Sequence, residues 1–339
     1  MTVGACILGC SGTVLTGDER AFFAEARPWG FILFARNIGA PDQVRALTGA
    51  LRDAVARADA PILVDQEGGR VQRLGPPHWR RYPAAGDFPR LRDLAAARDL
   101  VRLGARLMAH DLAAVGVDVN CLPVLDTPGA GAHGVIGDRA YAEDPDVVAV
   151  LGRAAAEGLI AGGVLPVVKH IPGHGRARAD SHEVLPVVEA SLDELSARDF
   201  VPFRALSDMP MGMTAHVRFA ALDRRRPATL SRRTIRGAVR GAIGFEGLLI
   251  SDDIGMKALS GPLEERARAA RAAGCDVVLH GAGDLAGMRE VAAGAGRLRG
   301  ASARRARAAL ARRPRVPEPF DAPESRARFD AAFGGRFAA

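Results

Sequence analysis

Lysine is almost missing from this chain of 339 residues: of its 46 Lys and Arg side chains, only positions 169 and 257 are lysine. A guanidinium is a broad planar fork and an ammonium a compact point charge, so a lysine kept at Lys169 marks a place where the compact cation is wanted. Long apolar runs are lacking too. No stretch approaches the roughly 20 apolar residues that span a bilayer, which excludes a membrane helix. The opening MTVGACILGCSG has neither a basic n-region nor a small-residue cleavage motif, so it is read as a first strand, and a cytoplasmic protein with no membrane partner is expected. Cysteines are few (Cys6, Cys10, Cys121, Cys275) and show no C-x-x-C spacing, which excludes a disulfide scaffold and a zinc-finger layout. They read as buried thiols, with Cys6 and Cys10 sharing one face of a predicted strand. Aromatics make up only 5% of residues, and none interleaves the basic run from Arg299 to Arg315 as a stacking platform. The formal charge of +7 is therefore read as arginines on solvated helix faces, and nucleic acid is not expected as a partner.

What is present is alternation. Composition is that of an ordinary globular protein, with 48% hydrophobic and 25% charged residues. Short apolar runs alternate with longer amphipathic stretches, as in repeated βα units around a parallel sheet. The runs are Ala5 to Leu8, Gly30 to Phe34, Pro61 to Val64, Val117 to Leu125, Val164 to Val168, Gly212 to Met213 with flanks, Leu248 to Ile250 and Asp276 to Leu279. Helix-like segments lie between them, among them Pro41 to Arg57, Leu91 to Val115, Asp146 to Ala161, Leu192 to Leu206 and Leu263 to Ala273. Eight runs predict an α/β fold of the (β/α)₈ TIM-barrel class in a single domain, a size that such barrels hold routinely. The barrel is placed at residues 1–312, and the Pro- and charge-rich stretch 313–339 is expected to be a tail packed on it or partly disordered. The alternative, a doubly wound sheet, would carry a G-x-G-x-x-G opening a helix; the one formal match, Gly129 to Gly134, runs into Val135-Ile136-Gly137-Asp138 with no helical pattern.

Active sites of such barrels sit at the C-terminal ends of the strands, so the polar residues that follow each run are the candidates. They include Arg36-Asn37, Asp65-Gln66-Glu67, Lys169-His170, Ala215-His216, Ser251-Asp252-Asp253 and His280. Five histidines (His170, His174, His182, His216, His280) gather at or just past strand ends, which points to a site at one mouth of the barrel. In Ser251-Asp252-Asp253 a continuing strand would turn the two carboxylates to opposite faces, and the pattern alone does not choose between them. Asp253 is expected to cap a following helix. Asp65 and Glu67 are local rivals for one role, and Gly68-Gly69 permit a sharp turn after them.

The segments FILFARN (31–37), VDQEGGRVQR (64–73), IGDRAY (136–141), KHIPGHG (169–175), ADSH (179–182), MTAHV (213–217) and SDDIGM (251–256) resemble the β-N-acetylhexosaminidases of glycoside hydrolase family 3. The likeness is to the single-domain bacterial type that recycles peptidoglycan. Two departures are visible: Ile171 stands where the family usually has Phe, and Ile254-Gly255 replace the commoner Leu-Ser. The large β-glucosidases of that family carry further domains that this length does not hold. The resemblance implies Asp252 as a nucleophile that forms a glycosyl-enzyme, with His182 as acid/base and Asp180 orienting its imidazole. It also implies Asp65, Arg73, Arg139, Lys169 and His170 as substrate ligands. His216 and Arg36 are second-tier supports or contacts, and His174 is given a structural role in its loop, with catalysis the lesser reading. The implied substrate is the β-1,4 bond between N-acetylglucosamine and 1,6-anhydro-N-acetylmuramic acid, with or without peptide, and neither cofactor nor metal is expected. A monomer is expected.

Three other classes fit parts of this pattern. A metal-dependent barrel hydrolase would use the His- and Asp-rich mouth, but no H-x-H lies on an early strand and the Asp-His pair sits on a loop. A phosphorylase of the same family is the nearer rival, since an imidazole acid/base repels incoming phosphate less than a carboxylate does. A sugar-binding protein without activity would have lost Asp252 or His182, and both are present.

Overall fold

The computed structural model describes residues 2–90, 93–129 and 131–337. Eight strands form the barrel: β1 (Gly4–Leu8), β2 (Pro28–Leu33), β3 (Ile62–Val64), β4 (Val119–Asn120), β5 (Leu165–Ile171), β6 (Met211–Thr214), β7 (Leu248–Asp253) and β8 (Val277–His280). Each pairs in parallel with its sequence neighbours, and β8 closes onto β1 through Cys6 opposite Val278. The eight apolar runs are thus the eight strands. Run four shrinks to two paired residues because Pro123 offers no N–H to continue the ladder; the chain rejoins it as a bridge from Val124 to Lys169.

Helices fill the gaps: α1 (Gly17–Ala26), α2 (Pro41–Ala54), α3 (Leu94–Ala113), α4 (Pro145–Ala161), α5 (Leu263–Ala273), α6 (Leu285–Ala295), α7 (Gly300–Ala311) and α8 (Ala322–Ala332). Their starts are written locally. Thr16 and Glu19 form a reciprocal capping box at α1, and Asp144 caps α4 with Pro145 in the first turn, where its missing N–H costs nothing. The helical stretches 192–205 and 232–242 each contain a π segment, Leu195–Asp199 and Ile235–Ala242. The expected helix from 91 begins at Leu94, with 91 and 92 outside the described residues; so are 130, inside the glycine match, and 338–339 of the tail. Within 313–339, Phe329 of α8 and Phe333 just past its end are buried against Phe88, and α8 packs on α3 over Gly104, where an added Cβ would lie 2.8 Å from the Phe329 ring. No helix among the described residues is long and apolar enough to cross a membrane.

Strand alternation decides what points inward. Ile7, Leu63, Leu165, Val167, Leu248, Ile250 and Leu279 form one buried cluster in the lumen, while Cys6, Ile62, Val64, Val168, Leu249 and Val278 face the helices. Two steps further along three strands, the inward series continues Leu63 to Asp65, Val167 to Lys169 and Ile250 to Asp252. Apolar layers therefore end, at the C-terminal mouth, in two carboxylates and an ammonium. Cys10 differs from its expected place: β1 stops at Leu8, so Cys10 lies beyond the strand and does not share a face with Cys6. Both thiols are buried, and desolvation pushes each up to about 12, which leaves them protonated.

Candidate active site

A cavity of about 230 Å³ opens at that mouth, and its walls include Asp65, Glu67, Arg73, Arg139, Lys169, His170, His174, Ser181, His182, Asp252 and Asp253. Three of the four carboxylates that line it are committed. Asp65 accepts from Lys169 Nζ at 2.8 Å and pairs with Arg73 at 3.4 Å. Glu67 is held by Lys169 Nζ at 2.6 Å and by the Arg139 fork at 2.8 and 2.9 Å. Burial works to raise both acids, but Lys169, with Arg73 for the one and Arg139 for the other, holds them below the usual carboxylate range. Asp253 accepts from Gly281 N at 3.0 Å and Gly255 N at 2.8 Å and faces His280 Nδ1 at 3.4 Å. It caps no helix, contrary to expectation, because the chain leaves β7 through turns and the next helix starts only at Leu263.

Asp252 is different. Its one hydrogen bond is from the neighbouring Asp253 N–H at 2.8 Å to Oδ1, so Oδ2 has no partner among the described residues. Burial would raise its pKa; His216, His170, the Asp253 N–H and Lys169 outweigh that and keep the group ionised. An anionic oxygen with nothing bonded to it among the described residues, fixed at a strand end, is open to whatever occupies the cavity.

The imidazoles divide by what holds them. His170 Nδ1 lies 2.7 Å from Asp126, a fully buried carboxylate that also accepts from His174 N at 2.6 Å, so Nε2 of His170 is turned toward the cavity. His182 Nδ1 lies 2.8 Å from Asp180 Oδ1, and its side chain is 65% exposed, which leaves Nε2 open. The Asp180 carboxyl is held below its ordinary range: partial burial opposes this, and the backbone and ring N–H groups of His182 prevail. His216 lines no part of the cavity. It is buried with Nε2 2.9 Å from the Asp253 carbonyl and Nδ1 2.7 Å from Thr229 Oγ1; desolvation holds its pKa below the ordinary histidine range, and Nε2–H donates to that carbonyl and braces the strand end. Arg36 also stays outside, bonded to the carbonyls of Cys10 and Gly281. His174 is buried beside Ser181.

The structure therefore brings Asp252, Asp180, His182, Asp65, Arg73, Arg139, Lys169 and His170 to one cavity or its rim and sets His216 and Arg36 behind it. Sequence reasoning passed over Asp126, although it directly follows run four, the position that the strand-end rule marks. It also left Glu67 as a mere rival of Asp65; the two act together on Lys169, one from each side. Among the described residues no group of three His, Cys, Asp or Glu side chains is arranged to hold a metal ion.

Residues 17–307 fit the description "Glycosyl hydrolase family 3 N terminal domain". The chain belongs to glycosyl hydrolase family 3. Within this family it is 45% identical over 285 residues to a beta-hexosaminidase of Alkalilimnicola ehrlichii, covering 82% of this chain and 81% of that one. NagZ of Neisseria gonorrhoeae, solved in complex with N-trifluoroacetyl-D-glucosamine, superposes with a TM-score of 0.84 at 32% identity over 98% of this chain and 97% of its own. A family 3 β-N-acetylglucosaminidase of Paenibacillus sp. gives a TM-score of 0.85 at 29% identity, and 97% of this chain spans 66% of that longer one. The family 3 chain is thus a glycoside hydrolase of the β-N-acetylhexosaminidase kind, built as a single barrel of the NagZ type.

Lys169 is the member of the family 3 cavity for which a conservative change is least conservative. It is 2% exposed and bridges two carboxylates, so the larger fork of Lys169→Arg cannot enter without parting at least one pair. The expected result is a loss in kcat/KM on an aryl β-N-acetylglucosaminide of about 1–3 kcal/mol, the range for a lost charged hydrogen bond. Unchanged steady-state kinetics would show that the ammonium matters only as charge.

Proposed function

We propose that the chain is an exo-acting, retaining β-N-acetylglucosaminidase that removes terminal β-1,4-linked N-acetylglucosamine from peptidoglycan fragments such as GlcNAc-1,6-anhydroMurNAc, with or without peptide, in the cytoplasm. The observation that carries this reading is the Oδ2 of Asp252, without a partner among the described residues, in a cavity whose other lining carboxylates are all engaged. Asp252 attacks the anomeric carbon while His182 gives its proton to the departing glycosidic oxygen; the neutral imidazole then takes a proton from water, which opens the glycosyl-Asp252 ester with the original configuration restored. Asp180 holds the imidazole tautomer and stabilises the imidazolium. Asp65, Arg73, Arg139, Lys169 and His170 bind the sugar's polar groups. A cavity of about 230 Å³ is on the scale of one sugar unit, which suits removal of single terminal residues. A neighbour of the same fold, solved with an N-acylated glucosamine, supports the amino sugar.

Proton NMR of the first-formed sugar tests the reaction. A β-glycoside should yield the β-anomer, and release from the β-N-acetylglucosaminide should far exceed that from the β-glucoside. The α-anomer would mean inversion and remove the nucleophile from Asp252. With phosphate added, hydrolysis should continue unchanged: phosphate would have to approach the Asp252 and Asp180 carboxylates, while the cavity's cations are already paired. Appearance of the sugar 1-phosphate would select the phosphorylase instead.

A further inference from the structure

Ser181 stands between the two members of the Asp180/His182 pair, yet it behaves unlike either. It is 3% exposed, whereas the His182 side chain is 65% exposed. Its Oγ lies 3.1 Å from His174 Nε2, and its carbonyl accepts from Ala258 N at 3.2 Å. The two tethers lead to the segments that follow two different strands, β5 and β7, with β6 between them. His174, just past β5, is fixed through its backbone N–H to Asp126 at 2.6 Å, the carboxylate that also holds His170 of β5. Ala258 belongs to the turn that leaves β7, the strand of Asp252, just past the cavity-lining Met256. Burial pushes the His174 ring down to about 4 against the pull of Asp126 and Asp252 and with the help of His170, so the ring is neutral near pH 7 and its bond to Ser181 does not switch there. Nδ1 of His174 is buried with no partner, so Ser181 is its one side-chain hydrogen bond among the described residues.

We propose that Ser181 is a positioning residue: its hydroxyl on His174 and its carbonyl on the turn after β7 hold the Asp180/His182 pair at the cavity that contains Asp252. This rests on the acid/base reading given above. Ser181 touches no reacting atom, and it acts only on steps in which His182 moves a proton.

The test compares kcat/KM on two N-acetylglucosaminides, one with dinitrophenolate, which departs unprotonated, and one with an alkyl alcohol, which does not. Active sites are counted from the dinitrophenolate burst wherever deglycosylation is slow, and by circular dichroism otherwise, so that partial unfolding does not enter the rates. Ser181→Ala should lose about tenfold on the alkyl glycoside and stay within about twofold on the other, the scale of one neutral hydrogen bond. Ser181→Thr, which keeps the hydroxyl, should recover most of the loss. Equal losses on both glycosides, or none, would overturn the proposal. His182→Ala run alongside separates the two readings: if it too shows no leaving-group dependence, the acid/base assignment falls and takes Ser181 with it; if it does and Ser181→Ala does not, only the Ser181 proposal falls.

Discussion

Asp252→Asn is expected to lower kcat by on the order of 10⁴-fold or more with every leaving group, the scale seen when one member of a covalent catalytic set is removed. The reasoning is specific to this cavity. Asp65 and Glu67 are tied to Lys169, and Asp253 to Gly281 and Gly255, so none of the other three carboxylates that line the cavity has an oxygen without a partner among the described residues. An amide keeps the shape and can still accept from Asp253 N, and no cation is paired directly with Asp252, so the fold should be intact, with a melting temperature close to that of the parent. Activity and melting are measured on one preparation. More than about 1% residual kcat on the dinitrophenyl glycoside in a folded protein would contradict the assignment, because such a leaving group removes any need for the acid and leaves only the nucleophile in question.

His182→Ala should produce a different failure. For an alkyl leaving group both steps need a proton moved, and kcat/KM should fall by about 10²–10⁴-fold, the usual range for a lost acid/base. For dinitrophenolate the first step survives and the second does not, so stopped-flow traces should show a burst of one phenolate per active site followed by a slow phase. The exposure of His182 favours this experiment, since truncating a half-solvated ring disturbs little packing. A uniform slowing with no burst would assign the proton transfer to another group, and His170, with Nε2 facing the cavity, would be the next to test.

The fold was legible because its rule is simple: all eight apolar runs became strands, since a strand covered by helices on one side and lumen on the other must be apolar on both faces. The sequence motifs also located the cavity residues, but pairwise commitments were beyond their reach. That Asp252 and not Asp253 holds a free oxygen follows from Gly281 and Gly255 supplying N–H groups to Asp253, contacts made across 28 residues in one case. Asp126 was missed although it follows its run, because a buried carboxylate between two imidazoles advertises nothing in one dimension. Cys10 and the supposed cap at Asp253 failed for a shared reason: a strand's end is set by its neighbours' hydrogen bonds, which local patterns do not record. The π segments in 192–205 and 232–242 belong to the same class of unread detail.

The two halves of the proposed reaction rest on supports of unequal stiffness. Asp252 is carried by β7, bonded on both sides into a closed ring of strands, whereas Asp180 and His182 ride on turns between β5 and a two-residue strand at Val187–Val188 that pairs only with Arg218–Phe219. Mechanical compliance in proteins follows such differences, and irregular, solvent-facing backbone opens at a lower free energy than a sheet core does. Mild heat or urea would therefore soften the proton donor while the barrel still presents its nucleophile. An enzyme in that condition would go on capturing sugars with reactive leaving groups and release them slowly, turning from a catalyst into a trap before it unfolds.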